Sequence, residues 1–208
     1  SLKLKLENSK INYISEKSRQ FELFDSTTNT STNFLHLNNL QVKSENLTIW
    51  RNKIYDHQSK IAEDKLSDNS QKSFFPDPDN VDVQKINPFI LQPLSLNFWR
   101  ANQSVHDGPA MYFVVDTMKS SKIILYIGET NSANKRWKGE HDCKNYLSNY
   151  KEALASNNLL SHQDIRFFLD VPKEVKLRRK LEQKLICLWL PPFNKETRDR
   201  WSTTFTNN

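Results

Sequence analysis

The chain has 208 residues, 26% of them charged and 37% hydrophobic, with a formal net charge of +6. That length predicts one domain, or one compact domain with a sizeable extension, and no run approaches the ~18 apolar residues that would cross a membrane. Two cysteines, Cys143 and Cys187, are too few for a disulfide framework or a four-ligand zinc site, and "SLKLKLENSK" has no signal-peptide core, so a reduced, intracellular protein is expected, cytoplasmic or nucleoid-associated.

Residues 1–35 are rich in Ser, Thr and Asn, and the alternating Leu2, Leu4 and Leu6 predict an edge strand. "STTNTSTN" (26–33) reads as a polar loop. Trp50, Ile54 and Ile61 fall at near-helical spacing and predict an amphipathic helix from Leu47 to about Asp64. "SDNSQKSFFPDPDN" is turn-rich. In "INPFILQPLSLNFW" (86–99) the prolines disfavour a helix interior or a central strand, leaving an extended segment packed against the domain C-terminal to it.

From residue 108 the pattern becomes regular. "AMYFVVD" and "KIILYIGE", separated by the polar "TMKSSK", predict a hairpin. "SANKRWKGEHDCKNYLSNYKEALAS" is helical in pattern, with Gly139 breaking or bending it. "DIRFFLDV" is a third strand. "PKEVKLRRKLEQKLICLWL" is a helix with Pro172 in its first turn and a Leu177, Leu181, Leu185, Leu188 stripe, stopped by "PPFN". The order is β-β-α-β-α, an α/β (α+β) module. Residues 1–100 are then an N-terminal extension, partly helical, whose Pro-rich end wraps a domain spanning 101–208.

Several residues carry possible chemistry. Tyr112 and Tyr126 lie on paired strands, where two phenols on one face can converge. Arg136 suits a phosphate through its planar, permanently charged fork, and His141 exchanges protons near neutrality. Lys135 and Lys138 flank them as contacts for a nucleic-acid backbone. Glu182 shares a helix side with Ile186 and Trp189, so its carboxylate borders the apolar stripe and needs a partner. That partner is a metal, water, or a same-helix arginine, Arg178 or Arg179. His141, Cys143 and Cys187 lack a fourth ligand at usable spacing. From residue 101 onward 17 Lys and Arg stand against 12 Asp and Glu. This basic half fits a polyanion, because phosphates release counterions when cations approach.

The hairpin tyrosines, "YIGET" with "RW" after it, "LEQKLICLW" and the closing "PPFN" together resemble the GIY-YIG nuclease superfamily over residues 108 to about 195. "AMY" stands where that family usually has "GIY", with Ala110 in place of the first glycine, and the stretch between the tyrosines is longer than usual. The resemblance implies a GIY-YIG-type module with a three-stranded antiparallel sheet. It matches the family's catalytic set to Tyr112, Tyr126, Arg136, His141, Glu182 and Asn194, with Arg178 and Arg179 added to Lys135 and Lys138 as DNA contacts.

The implied activity is hydrolysis of DNA phosphodiesters, in repair, restriction or mobile-element biology, with Glu182 the protein ligand of Mg²⁺ or Mn²⁺. Tyr112, helped by Tyr126 or His141, or else His141 itself, would activate water. An unperturbed tyrosine is phenolate about 0.3% of the time at pH 7.5, some ~3.4 kcal/mol uphill, a cost that a metal and Arg136 would partly offset. One site cuts one strand, so double-strand cleavage would need a DNA-induced dimer or two events by a monomer. The other class is a nucleic-acid-binding protein that retains the fold without catalysis.

Overall fold

The computed structural model describes residues 43–67, 82–100, 108–139, 142–202 and 205, which belong to one compact unit beginning at residue 42. The expected edge strand at Leu2–Leu6, the loop at 26–33, residues 68–80 of the turn-rich stretch, and His141 lie outside the described residues.

Helix α1 (Ser44–Ser67) comes first. Two 3-10 turns, Val83–Lys85 and Pro88–Ile90, are begun by Asp82 and Asn87, whose side chains accept backbone N–H groups two residues on. Strand β1 is the two residues Leu94–Ser95, and a third 3-10 turn covers Phe98–Arg100. The hairpin is β2 (Ala110–Met118) and β3 (Ser121–Thr130). It is followed by α2 (Ala133–Lys138), α3 (Asp142–Ser156), β4 (His162–Phe168) and α4 (Val175–Trp189). The helical region after β3 is thus broken at Gly139, as its sequence predicts. Pro172 lies ahead of α4 rather than in its first turn.

The fold is mixed α/β around one antiparallel sheet of order β1-β4-β2-β3. It has four strands rather than three. The added strand comes from "PLSL", where Leu94 and Ser95 pair with Ile165 and Asp164. The preceding prolines are tolerated because the strand is short and lies at the edge.

Strand alternation sorts the core into two layers. Tyr112, Val114, Ile123, Leu125 and Ile165 face α3 residues Tyr146, Leu147, Tyr150 and Leu154, together with Leu47, Ile54 and Phe193. Met111, Phe113, Val115, Ile124 and Ile127 face α4 residues Leu181, Leu185, Ile186 and Trp189, together with Ile86. Residues from α1 and from the 82–100 segment therefore share these layers with the sheet.

The hairpin register shifts between Val114 and Val115, where Tyr126 and Ile124 are their partners and Leu125 is the extra residue. Without this bulge Tyr126 would share the α4 face with Ile124, because a one-residue slip turns every later side chain over. With it, Tyr126 packs on the same face as Tyr112.

β3 is an edge strand, and side chains cover its free edge. Gln58 of α1 accepts the Ile124 N–H (2.7 Å), and its amide donates to Ile124 O (3.1 Å) and to Trp189 O (3.0 Å). Asn194 repeats the device, accepting from Ile127 N (2.9 Å) and donating to Ile127 O (2.8 Å). The Phe193 N–H reaches Leu125 O. An exposed strand edge is a template for unwanted pairing, and here two amide groups stand in for a fifth strand.

No helix among the described residues is long and apolar enough to cross a membrane.

Candidate active site

At the end of the covered edge, a cleft of about 570 Å³ opens between the α2 and α4 sides of the sheet. Tyr112, Tyr126 and Glu129 line it from the strands, Lys135 and Arg136 from α2, and Arg179 and Glu182 from α4, with the Thr130–Ser132 turn closing one end. That turn is locally determined. Thr130 Oγ1 donates to Ser132 O and accepts from Ser132 N, which steers the chain into α2.

The two tyrosine rings stack, 6.0 Å between centroids and 23° apart, and Trp137 meets Tyr112 edge-on at 5.9 Å. Gly128 lies directly across from Tyr112. A Cβ at Gly128 would fall 2.3 Å from both Cζ and the hydroxyl of Tyr112. The glycine of "YIG" is therefore required by the ring lying across it. Arg136 Nε donates to the Tyr112 hydroxyl at 3.5 Å, so the guanidinium and the phenols meet on one wall.

Burial pushes the Tyr112 phenol well above the usual tyrosine range, with Tyr126 and Cys143 adding to the shift and Arg136 opposing it. Tyr126 is raised to about 12, again chiefly by burial, then by Cys143 and Glu182. The offset expected from Arg136 is present and smaller than the burial penalty. At pH 7.5 a phenol with a pKa of about 12 is ~6 kcal/mol from its anion, at 1.36 kcal/mol per unit. Without a bound metal both groups are phenols near neutrality, suited to donating hydrogen bonds.

Glu182 is half-buried on the opposite wall. Its Oε1 accepts the backbone N–H of Glu129 at 3.1 Å. Burial, followed by repulsion from Glu129 and Glu196, raises its pKa to about 7, although the Glu129 N–H and Arg179 pull it down. A same-helix ion pair would have prevented this, and it does not form. Arg178 Nε instead contacts Glu129 Oε2 at 2.8 Å, and Arg179 Nε lies 3.6 Å from Glu129 Oε1. Among the described residues Glu182 forms no salt bridge.

Arg178, expected at a nucleic acid, is fully buried. It is engaged by Glu129, by Asn131 Oδ1 and by the carbonyls of Pro172 and Lys173. Its work is to tie the end of β3 to the start of α4. Asn194, expected in the catalytic set, is buried in the clamp on Ile127 and does not line the cleft. Lys138 is exposed on α2 but outside the cleft lining, whereas Lys135 and Arg179 are exposed and line it.

Sequence reasoning assigned no role to Glu129 or Gln58. Glu129 sits inside the quoted "YIGET", so proximity to the motif was a usable signal. Gln58 is one polar residue in a helix, and nothing local marks it as a clamp. Among the described residues no group of three or more His, Cys, Asp and Glu side chains gathers to hold a metal. The donor set that fits a hard divalent cation is Glu182, whose oxygens are undercompensated, completed by water and substrate oxygens. No protein-family model, curated protein or solved structure matches the chain.

Proposed function

We propose that this protein is a GIY-YIG-type endonuclease that hydrolyses phosphodiester bonds in DNA with Mg²⁺ or Mn²⁺. The observation that carries this is the convergence of Arg136, Tyr126 and the undercompensated carboxylate of Glu182 in one cleft, from three separate elements. A cation and a carboxylate on facing walls, with phenol donors beside them, suit a phosphodiester bridging the two.

Arg136 binds a non-bridging phosphate oxygen whose charge grows in the transition state. Its contact with Tyr112 fixes the direction of the fork. Tyr126 orients the attacking water by hydrogen bonding as a phenol. Tyr112 or His141 takes the proton of that water. The water oxygen bonds to phosphorus, the bond to the 3′ oxygen breaks, and that oxygen leaves with a proton from solvent. Glu182 would hold the Mg²⁺ or Mn²⁺, which would supply charge stabilisation for the leaving oxygen and the phosphoryl group. Lys135 and Arg179 at the rim bind flanking phosphates.

Incubating supercoiled plasmid with the protein and Mg²⁺, Mn²⁺ or EDTA tests this. Metal-dependent nicking that Glu182→Ala abolishes, with DNA binding still measurable, is expected. A salt-sensitive gel shift without nicking would instead make the protein a non-catalytic nucleic-acid binder.

A further inference from the structure

The outer face of α4 continues away from the cleft as a run of cations. At about 100° per residue, Arg179 lies about 60° around the helix from Glu182, Lys176 about 60° further in the same direction, and Lys180 about 40° beyond that. Arg179 lines the cleft, and Lys176 and Lys180 are exposed. The order around the helix is cleft carboxylate, rim arginine, Gln183 at about 100°, then the two lysines on the open face. Two acidic side chains meet α4 nearby: Glu129 Oε1 lies 3.6 Å from Arg179 Nε, and Glu196 Oε1 accepts from Gln183 Nε2 at 3.1 Å.

A helix face kept only for solubility mixes signs, with Glu and Lys four apart contributing a few tenths of a kcal/mol. Here the partner four residues after Lys176 is Lys180, an arrangement that is unfavourable in the isolated helix. A polyanion reverses that sign.

We infer that Lys176 and Lys180, continuing from Arg179, form a track for the phosphate backbone of duplex DNA leaving the cleft. This rests on the nuclease reading of the cleft and adds where the substrate runs outside it. The lysines contact phosphates and read no bases, so the track contributes affinity and direction without sequence preference.

The test uses the full chain carrying Glu182→Gln and a long labelled DNA duplex, with anisotropy titrations across a salt series. Each phosphate neutralised contributes about 0.9 to the slope of log affinity against log salt, so Lys176→Gln with Lys180→Gln should make it shallower by about 1.8. A charge-matched control, Lys122→Gln with Lys151→Gln, removes two exposed lysines from the start of β3 and from α3 and should leave the slope unchanged. Both pairs are exposed, so melting temperatures should match the parent's.

An unchanged slope in the α4 pair, alongside metal-dependent cleavage by the wild type, overturns the track and leaves the nuclease reading standing. Equal changes in both pairs also overturn it, since net charge alone would then explain binding. If the Glu182→Gln parent binds no DNA and the wild type cuts none, the nuclease reading fails and the track falls with it.

Discussion

Glu129 donates its backbone N–H to Oε1 of Glu182 at 3.1 Å. One helical turn earlier, Arg178 takes the Glu129 carboxylate at 2.8 Å. A single strand residue is thus gripped by two successive turns of α4, one through its backbone and one through its side chain. The grip aims Glu182 at the cleft while removing from it the arginine that would have neutralised it.

Glu182 contributes to the pH dependence of stability. Its folded pKa is raised to about 7, mainly by burial, above the ~4.3 of a free glutamate. A raised pKa means that the folded state binds the proton more tightly. Its contribution is fully present below the unfolded pKa and is lost as pH rises through about 7. Glu182→Gln should therefore melt above the wild type at pH 8, with the difference shrinking toward pH 4. Under the proposed function, Mg²⁺ or Mn²⁺ at pH 8 should raise the wild-type melting temperature and leave that of Glu182→Gln unchanged. Scanning calorimetry across pH and metal checks both.

Gly128→Ala should be disabling although the substitution is small. The new methyl would meet the Tyr112 ring at 2.3 Å, and Tyr112 is fully buried between Tyr126 and Trp137. Overpacking of this kind costs about 1–3 kcal/mol, and displacing the ring also breaks its contact with Arg136. Urea denaturation should show the loss of stability, and plasmid nicking should fall by more than the folded fraction alone explains.

Gln58→Ala tests whether α1 is integral to the fold. It would leave a buried N–H and carbonyl at Ile124 and a carbonyl at Trp189 without their side-chain partner. With a penalty of about 1–3 kcal/mol per unsatisfied group, a destabilisation on the order of 3 kcal/mol is expected. Hydrogen exchange at the Ile124 amide should accelerate, whereas the Ile127 amide, held by Asn194, should change less.

Arg178 and Arg179 are adjacent in sequence and should behave oppositely. Arg178→Ala removes the buried partner of Glu129, leaving it the exposed Arg179 at 3.6 Å, and should cost about 3–5 kcal/mol, the usual penalty for breaking a buried ion pair. Arg179, 70% exposed, should change stability by less than about 0.5 kcal/mol when replaced by Ala. In the proposed reading Arg179→Ala makes the salt slope of DNA binding shallower by about one. Chemical denaturation and anisotropy titrations separate the two.

Much of the architecture is legible in local pattern. Two apolar runs split by the polar "TMKSSK" mark the hairpin, Gly139 marks the break between α2 and α3, and the stripe of α4 places Glu182 at the edge of its buried face. These features depend on residues a few positions apart, so the sequence by itself determines them. Four decisions belong to the tertiary structure. The bulge at Leu125 turns Tyr126 toward Tyr112; Arg178 turns inward to Glu129; Asn194 becomes a clamp on Ile127; and Gln58, from the region read as an extension, closes the edge of the strand that carries Tyr126. Each is set by a partner that is distant in the chain or by strand pairing. A residue type does not specify which backbone group or side chain will stand opposite it once the layers have packed.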